Sequence, residues 1–428
     1  MKKVLLTGLF AMSVLLLCAQ DSAQDKTKEG FGFGALPAVS FDSDLGFQYG
    51  AIVNLYHYGD GNRFPTYNHS LYMEYSRYTK GSSISRIMYD SDRFIPGIRT
   101  TIDVSYLTDK MMDFYGFNGY QAVYDGDLRE QSRSFYKNDR NMFRAKADFQ
   151  SNFGQSKWGW VAGYTFYHFN MDTVNTTRLE IDKPFKSLYE KYHDWGLINE
   201  DEFHGGNINY LKAGIKYDSR DRLTGPMTGI WTEAVIQAAP KILNSHFPHT
   251  KLALIHRQYF TLMKDMSLAY RIDYQMTLGK SHVPYFAQPL LITSFLTAAT
   301  NQGLGGKNSI RGILRNRVVG DAVGFGNFEW RYKFLRFDLF KQHFYLGTNV
   351  FFDTGIILKP IEMDFTAVSD TDKEKYFNDF EKGKFHSTIG LGLKIGWNEN
   401  FVISVDFGKA FNKQDGNTGF YVGLNYLF

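Results

Sequence analysis

The sequence predicts an all-β fold, a transmembrane antiparallel β-barrel of about sixteen strands, and three observations predict it. Aromatic residues make up 17% of the chain, with 38 Phe and 28 Tyr against a single Cys, yet mean hydropathy is only −0.33. Segments that alternate apolar and polar residues follow one another to the C-terminus, and their connections alternate between short and long. A barrel needs apolar side chains only at the alternate positions that face lipid, so its sequence can be polar on average. A helical membrane protein would instead need runs of roughly 20 apolar residues, and beyond the first residues the chain has none.

The first element is an export signal. Lys2 and Lys3 precede an apolar stretch from Val4 to Cys18 that is too short and wrongly flanked for a spanning helix. Cleavage is expected after Ala19, with Ala23 the alternative. Cys18 could be a lipoprotein cysteine, but Leu17 is bulky where such a site wants a small residue. A cut at Ala19 leaves no cysteine, and so no disulfide, thiolate metal site or cysteine nucleophile. The expected organisation is a signal peptide at 1–19, a short periplasmic segment at 20–30 and the barrel at 31–428.

The strands are expected to begin near Phe31, Gly46, Tyr67, Ser82, Arg99, Met142, Trp158, Asn207, Gly229, His249, Met266, Asp321, His343, Phe385, Asn400 and Asn417. The first is rich in glycine, with Gly30, Gly32, Gly34 and Pro37. Such residues are tolerated best at an edge, which predicts a weak lateral seam against the last strand. Near the end, Ile389, Leu391, Leu393, Ile395 and Trp397 alternate with Thr388, Gly390, Gly392, Lys394 and Gly396. The last strand is expected to carry Phe420, Val422, Leu424, Tyr426 and Phe428 on its lipid face, and a terminal aromatic such as Phe428 is a common barrel signal. Short turns at 154–157, 264–265 and 398–400 interleave with long connections at 108–141, 170–206, 280–320 and 358–384. That asymmetry matches short periplasmic turns and long external loops, and it leaves both chain ends in the periplasm.

The longest connection contains Gly305-Gly306-Lys307-Asn308-Ser309-Ile310-Arg311-Gly312-Ile313. Gly326-Asn327-Phe328-Glu329 lies on the strand after it, and Asp353-Thr354-Gly355 on the next. Together these resemble the [V/I]-R-G-[F/Y], G-x-x-E and D-x-G motifs of the BamA/TamA outer-membrane assembly superfamily, the bacterial surface antigen barrel, with Ile313 a departure from the usual aromatic. Upstream, Asp218, Arg220 and Asp221 with Pro226 and Gly229 resemble another stretch of that family, and Phe114-Tyr115-Gly116 is a weaker echo. The resemblance covers nearly everything after Phe31. It implies a barrel that assists insertion or translocation of outer-membrane proteins or lipids, with a loop tucked into the pore and fastened by Arg311. The family's members carry periplasmic POTRA domains, and the expectation here is a short member without them.

The residues support a clamp independently of the family. Phe328, Trp330 and Tyr332 share one face of their strand, and Asn327, Glu329, Arg331 and Lys333 the other. On the next strand Asp353 falls with Gly347 and Asn349, opposite Leu346, Val350 and Phe352. Both carboxylates then point into the lumen from neighbouring strands. Arg311 on an inward-folded loop can pair with both, and Gly312 lets the loop backbone approach the wall.

Enzymatic signatures are missing. The chain has no G-x-S-x-G, H-E-x-x-H or C-x-x-C, and the stretch Gly303–Ser309 fails as a phosphate loop because Asn308 follows Gly306-Lys307 and Asn301 stands where glycine is required. No catalytic residue, metal site or cofactor is expected. No basic run with interleaved aromatics argues for nucleic acid. The expected partners are outer-membrane lipids, unfolded outer-membrane protein clients and a separate periplasmic or envelope protein. The alternative function is a transport pore or structural subunit of a larger envelope complex.

Overall fold

A computed structural model describes residues 29–42, 45–64, 66–222, 225–294, 303–339, 342–397 and 401–428. The expected signal peptide at 1–19, most of the segment at 20–30 and the turn at 398–400, with the strand start expected at Asn400, lie outside the described residues. Seventeen β-segments build a closed antiparallel barrel of sixteen strands, because β1 (Phe31–Pro37) and β2 (Ser40–Asp42) are two halves of one wall strand. The others are β3 (Gly46–His57), β4 (His69–Tyr78), β5 (Ser83–Ile95), β6 (Ile98–Asp113), β7 (Lys137–Asn152), β8 (Trp158–Asp172) and β9 (Gly205–Asp218). They continue as β10 (Gly229–Ala239), β11 (His249–Met263), β12 (Met266–Thr277), β13 (Ala322–Leu339) and β14 (Gln342–Lys359), then β15 (Phe385–Trp397), β16 (Phe401–Ala410) and β17 (Thr418–Leu424). Each strand from β3 on pairs antiparallel with its sequence neighbours. Most starts agree with the sequence to within two residues; β7 begins five residues before Met142.

Parity along the strands sets the two faces. On β15, Phe385, Ile389, Leu391 and Leu393 are exposed, whereas His386, Thr388 and Lys394 are buried. An apolar outside with a polar, shielded inside is the signature of a strand between lipid and lumen. The long connections gather at one end. There Phe114, Tyr189, Tyr192 and Tyr285 pack edge to face, joined by Trp195 and Phe377. These rings form a buried aromatic core that caps the barrel from the long-loop side.

The wall is not uniform. Seventeen residue pairs join β13 to β14, but only Tyr421↔Asp42 and Val422↔Phe41 join β17 to β2. β1 pairs with β3 over its length, and no ladder is formed on its other edge by the described residues. Phe31 and Phe33 there are 87% and 70% exposed.

The C-terminus corrects the sequence. β17 stops at Leu424, and Asn425 takes a left-handed conformation with φ 66°. The tail then turns into the lumen, where a main-chain oxygen of Phe428 accepts a hydrogen bond from Arg331 Nη2 at 3.0 Å. Tyr426 and Phe428 therefore do not continue the lipid face. Phe428 is buried among Tyr259, Arg271 and Arg331, and Tyr426 lies 4.5 Å from the Arg331 guanidinium. Cationic ring partners on the inner wall outweigh the local alternation.

Leu391 sits on the outer face with 61% of its surface exposed. Leu391→Arg is expected to destabilise the barrel in lipid vesicles by about 2–4 kcal/mol, read from denaturant unfolding. A change within about 0.5 kcal/mol would mean that this face does not meet hydrocarbon.

Candidate functional site: a loop fastened across the lumen

The connection between β12 and β13 descends into the lumen and touches several walls. At its tip Arg311 is 1% exposed. Its Nε and Nη2 donate to the two Asp353 oxygens at 2.9 and 3.0 Å, and its backbone N–H donates to Asp353 Oδ2 at 3.0 Å. Nη2 also lies 2.7 Å from Glu329 Oε1, and Nη1 lies 3.5 Å from Asp406 Oδ1. The guanidinium rests 3.5 Å from the centre of the Phe351 ring. Burial opposes its charge, but Asp353 and then Glu329 outweigh that cost and raise its pKa above the ordinary arginine value.

The surrounding charges balance. Glu329 also accepts from Arg331 Nε at 2.8 Å, and Asp406 accepts from Lys394 Nζ at 2.8 Å. Three cations and three carboxylates thus share one buried cluster, which is how ionic groups persist out of water.

The other motif residues seat the loop. Ser309 Oγ accepts from the Gly305 N–H at 2.9 Å and donates to the Gly303 carbonyl at 3.0 Å, folding the glycine-rich turn. Asn327 donates to the Ser309 carbonyl at 2.6 Å. Ile310 is fully buried, and a Cβ on Gly355 would stand 2.5 Å from Ile310 Cδ1, so glycine makes that pocket. Gly312 has φ 99°, and a Cβ there would come within 2.7 Å of the Gly408 backbone on β16. The loop therefore touches the wall backbone to backbone.

Several contributors were not singled out in the sequence. Arg315 pairs with Asp109 at 2.7 Å and Asp113 at 2.9 Å on β6, far around the barrel from Arg311's partners. Arg317 donates to the carbonyls of Gly119, Ala122 and Gln414, joining three connections. Lys307 donates to the Val422 carbonyl on β17 at 3.1 Å, and burial lowers its pKa. Two signals were available: three arginines spaced by four and two residues, and the position of Asp406 on a polar strand face. The other sequence-matched stretch lies elsewhere. Asp218 holds Arg220 in a two-point ion pair, Asp221 accepts from the Met227 and Thr228 N–H groups, Pro226 is buried and Gly229 opens β10. That stretch shapes the β9–β10 turn and does not meet Arg311. Phe114, Tyr115 and Gly116 belong to the aromatic cap.

Gly312→Val adds backbone strain of about 1–3 kcal/mol and a clash with β16. It is expected to unseat the loop, so that trypsin cuts after Arg311 or Arg317, both buried in the wild type. Unchanged trypsin resistance would contradict the contact.

The chain matches the Omp85 superfamily domain over residues 68–428. Its fold resembles that of BamA from Haemophilus ducreyi lacking POTRA domains 1–3, at 15% identity and a TM-score of 0.57, covering 93% of this chain and 70% of that one. It also resembles CdiB from Escherichia coli, at 8% identity and a TM-score of 0.55, covering 94% of this chain and 66%, just under two thirds, of that one. Among curated proteins none matches. The chain is thus a bacterial outer-membrane β-barrel that belongs to the Omp85 superfamily.

Proposed function

We propose that the barrel assists insertion or translocation of outer-membrane proteins, or of lipids, through a lateral seam between its first and last strands. One observation carries the reading: the wall closes through two residue pairs at β17–β2, while the outer edge of β1 carries no ladder among the described residues. An unpaired strand edge offers backbone donors and acceptors to an incoming strand. The wall is also low there. Seven residues of β17, at about 3.4 Å each and tilted about 40°, rise about 18 Å, against an apolar band of about 25 Å.

In this reading the loop at Arg311 holds the lumen in shape while the seam opens. Its Lys307 contact to β17 ties loop position to the seam. Clients are unfolded outer-membrane proteins, delivered by a separate periplasmic or envelope partner. BamA and CdiB, as fold relatives, belong to the same reading.

The test follows folding of an unfolded outer-membrane protein added to liposomes that carry the full chain. A Phe41→Cys and Val422→Cys pair, oxidised to a disulfide, fixes the seam. Wild type is expected to speed client folding over empty liposomes, the oxidised pair to lose that gain, and reductant to restore it. Equal rates for wild type and empty liposomes would favour a transport pore or structural subunit. Full activity in the oxidised pair would remove the seam from the mechanism.

A further inference from the structure

The first part of the β12–β13 connection rests on a stretch of wall away from the Arg311 cluster. Lys251 Nζ on β11 donates to the Gln288 carbonyl and Lys212 Nζ on β9 to the Thr293 carbonyl, both at 3.1 Å. Gln275 on β12 donates to the Leu290 carbonyl and accepts from the Ile292 N–H, each at 2.9 Å. Between this segment and the wall lies a small cavity of about 40 Å³, with Lys146, Lys212, Lys251, Thr165, Tyr210 and Gln237 in its lining. The three lysines are 9%, 7% and 3% exposed, and no carboxylate among the described residues lines the cavity with them.

The carboxylates nearby leave these lysines in excess. Asp148 lies 2.6 Å from Lys146 and 2.8 Å from Lys212, one negative charge for two positive ones. Lys212 approaches Asp148 Oδ1 without a directed hydrogen bond, so that contact does not use up its protons. Glu233 on β10 stands opposite Lys216 in the ladder and accepts from the Ser294 N–H and hydroxyl. Asp103 is shared by Arg86 and Arg144, and Asp321 pairs with Lys359 at 2.6 Å. Lys251 makes no ion pair among the described residues, and residues 295–302 carry no acidic side chain. Even with Glu233 and Lys216 counted, four lysines meet two carboxylates.

We propose that this cavity binds a small inorganic anion of chloride size, which neutralises the lysines and seats residues 288–293 on the wall. An ammonium group donates and cannot accept, and a buried charge persists when it is paired. Three ammonium groups around one cavity therefore call for an occupant that accepts from all of them and carries negative charge. Size sets the class of occupant. A water needs about 10–15 Å³ and an organic ligand roughly 300–1,000 Å³, so this space suits a single small ion. The site stands apart from the insertion reading, since an ion here fixes the loop whatever the seam does.

The experiment follows urea unfolding of the full chain in neutral lipid vesicles while sodium chloride replaces sodium gluconate at constant ionic strength. Chloride at ten times its dissociation constant is expected to shift the unfolding equilibrium about tenfold. Lys251→Met is expected to abolish the shift, and Lys186→Met, at an exposed lysine of the β8–β9 connection, to keep it. If heat-dependent gel migration shows that Lys251→Met does not fold, Lys146→Met decides in its place. Crystals grown in sodium bromide are expected to show an anomalous peak in the cavity. The proposal is overturned if chloride and gluconate give the same unfolding curve, if the folded lysine variant keeps the full shift, or if the cavity holds no bromide peak. It is also overturned if inorganic phosphate produces the shift and chloride does not.

Discussion

The loop that crosses the lumen of this barrel is fastened by one desolvated guanidinium. Arg311 has left water entirely, and a buried ion carries a desolvation penalty of several kcal/mol. The penalty is met by Asp353 at two points, by Glu329, by the more distant Asp406 and by the face of Phe351. No one strand supplies these groups: they come from β13, β14 and β16. The residue can only be neutralised where three strands are already in register, so the loop and the wall specify each other.

The close approach needed for that pairing explains the small residues around it. Gly355 clears the space that Ile310 fills, and Gly312 and Gly408 let two backbones touch. Past Arg311 the same loop crosses to β6 through Arg315 and binds two further connections through Arg317. It acts as a strap between opposite walls. The strap also reaches β17, through Lys307 on the Val422 carbonyl and the Gly312 N–H on the Tyr421 hydroxyl. The β17–β2 closure is the shortest ladder among the described residues, and in the proposed reading it is where the wall opens.

Period-two alternation made the barrel legible, because one face of each strand must be apolar and the other polar. The same parity placed Glu329 and Asp353 inside, and their neighbouring strands placed them side by side. Parity says nothing about which loop residues reach a wall, so Arg315 and Arg317 went unremarked beside Arg311. It also misled at the end of the chain. The alternation runs unbroken through Tyr426 to Phe428, but Arg331 and Arg271 draw those rings inward. A local pattern cannot register a pull from residues so distant in the sequence.

The most direct measurement of this account is a double-mutant cycle on Arg311→Gln and Asp353→Asn, with denaturant unfolding of the barrel in lipid vesicles. Residues that share one buried ion network couple strongly, so the double change is predicted to cost about 2–3 kcal/mol less than the sum of the two single changes. A coupling below about 0.5 kcal/mol would show that the guanidinium and the carboxylate act separately. The loop would then be held by packing alone, and Arg311 would not be the contact on which the interior depends.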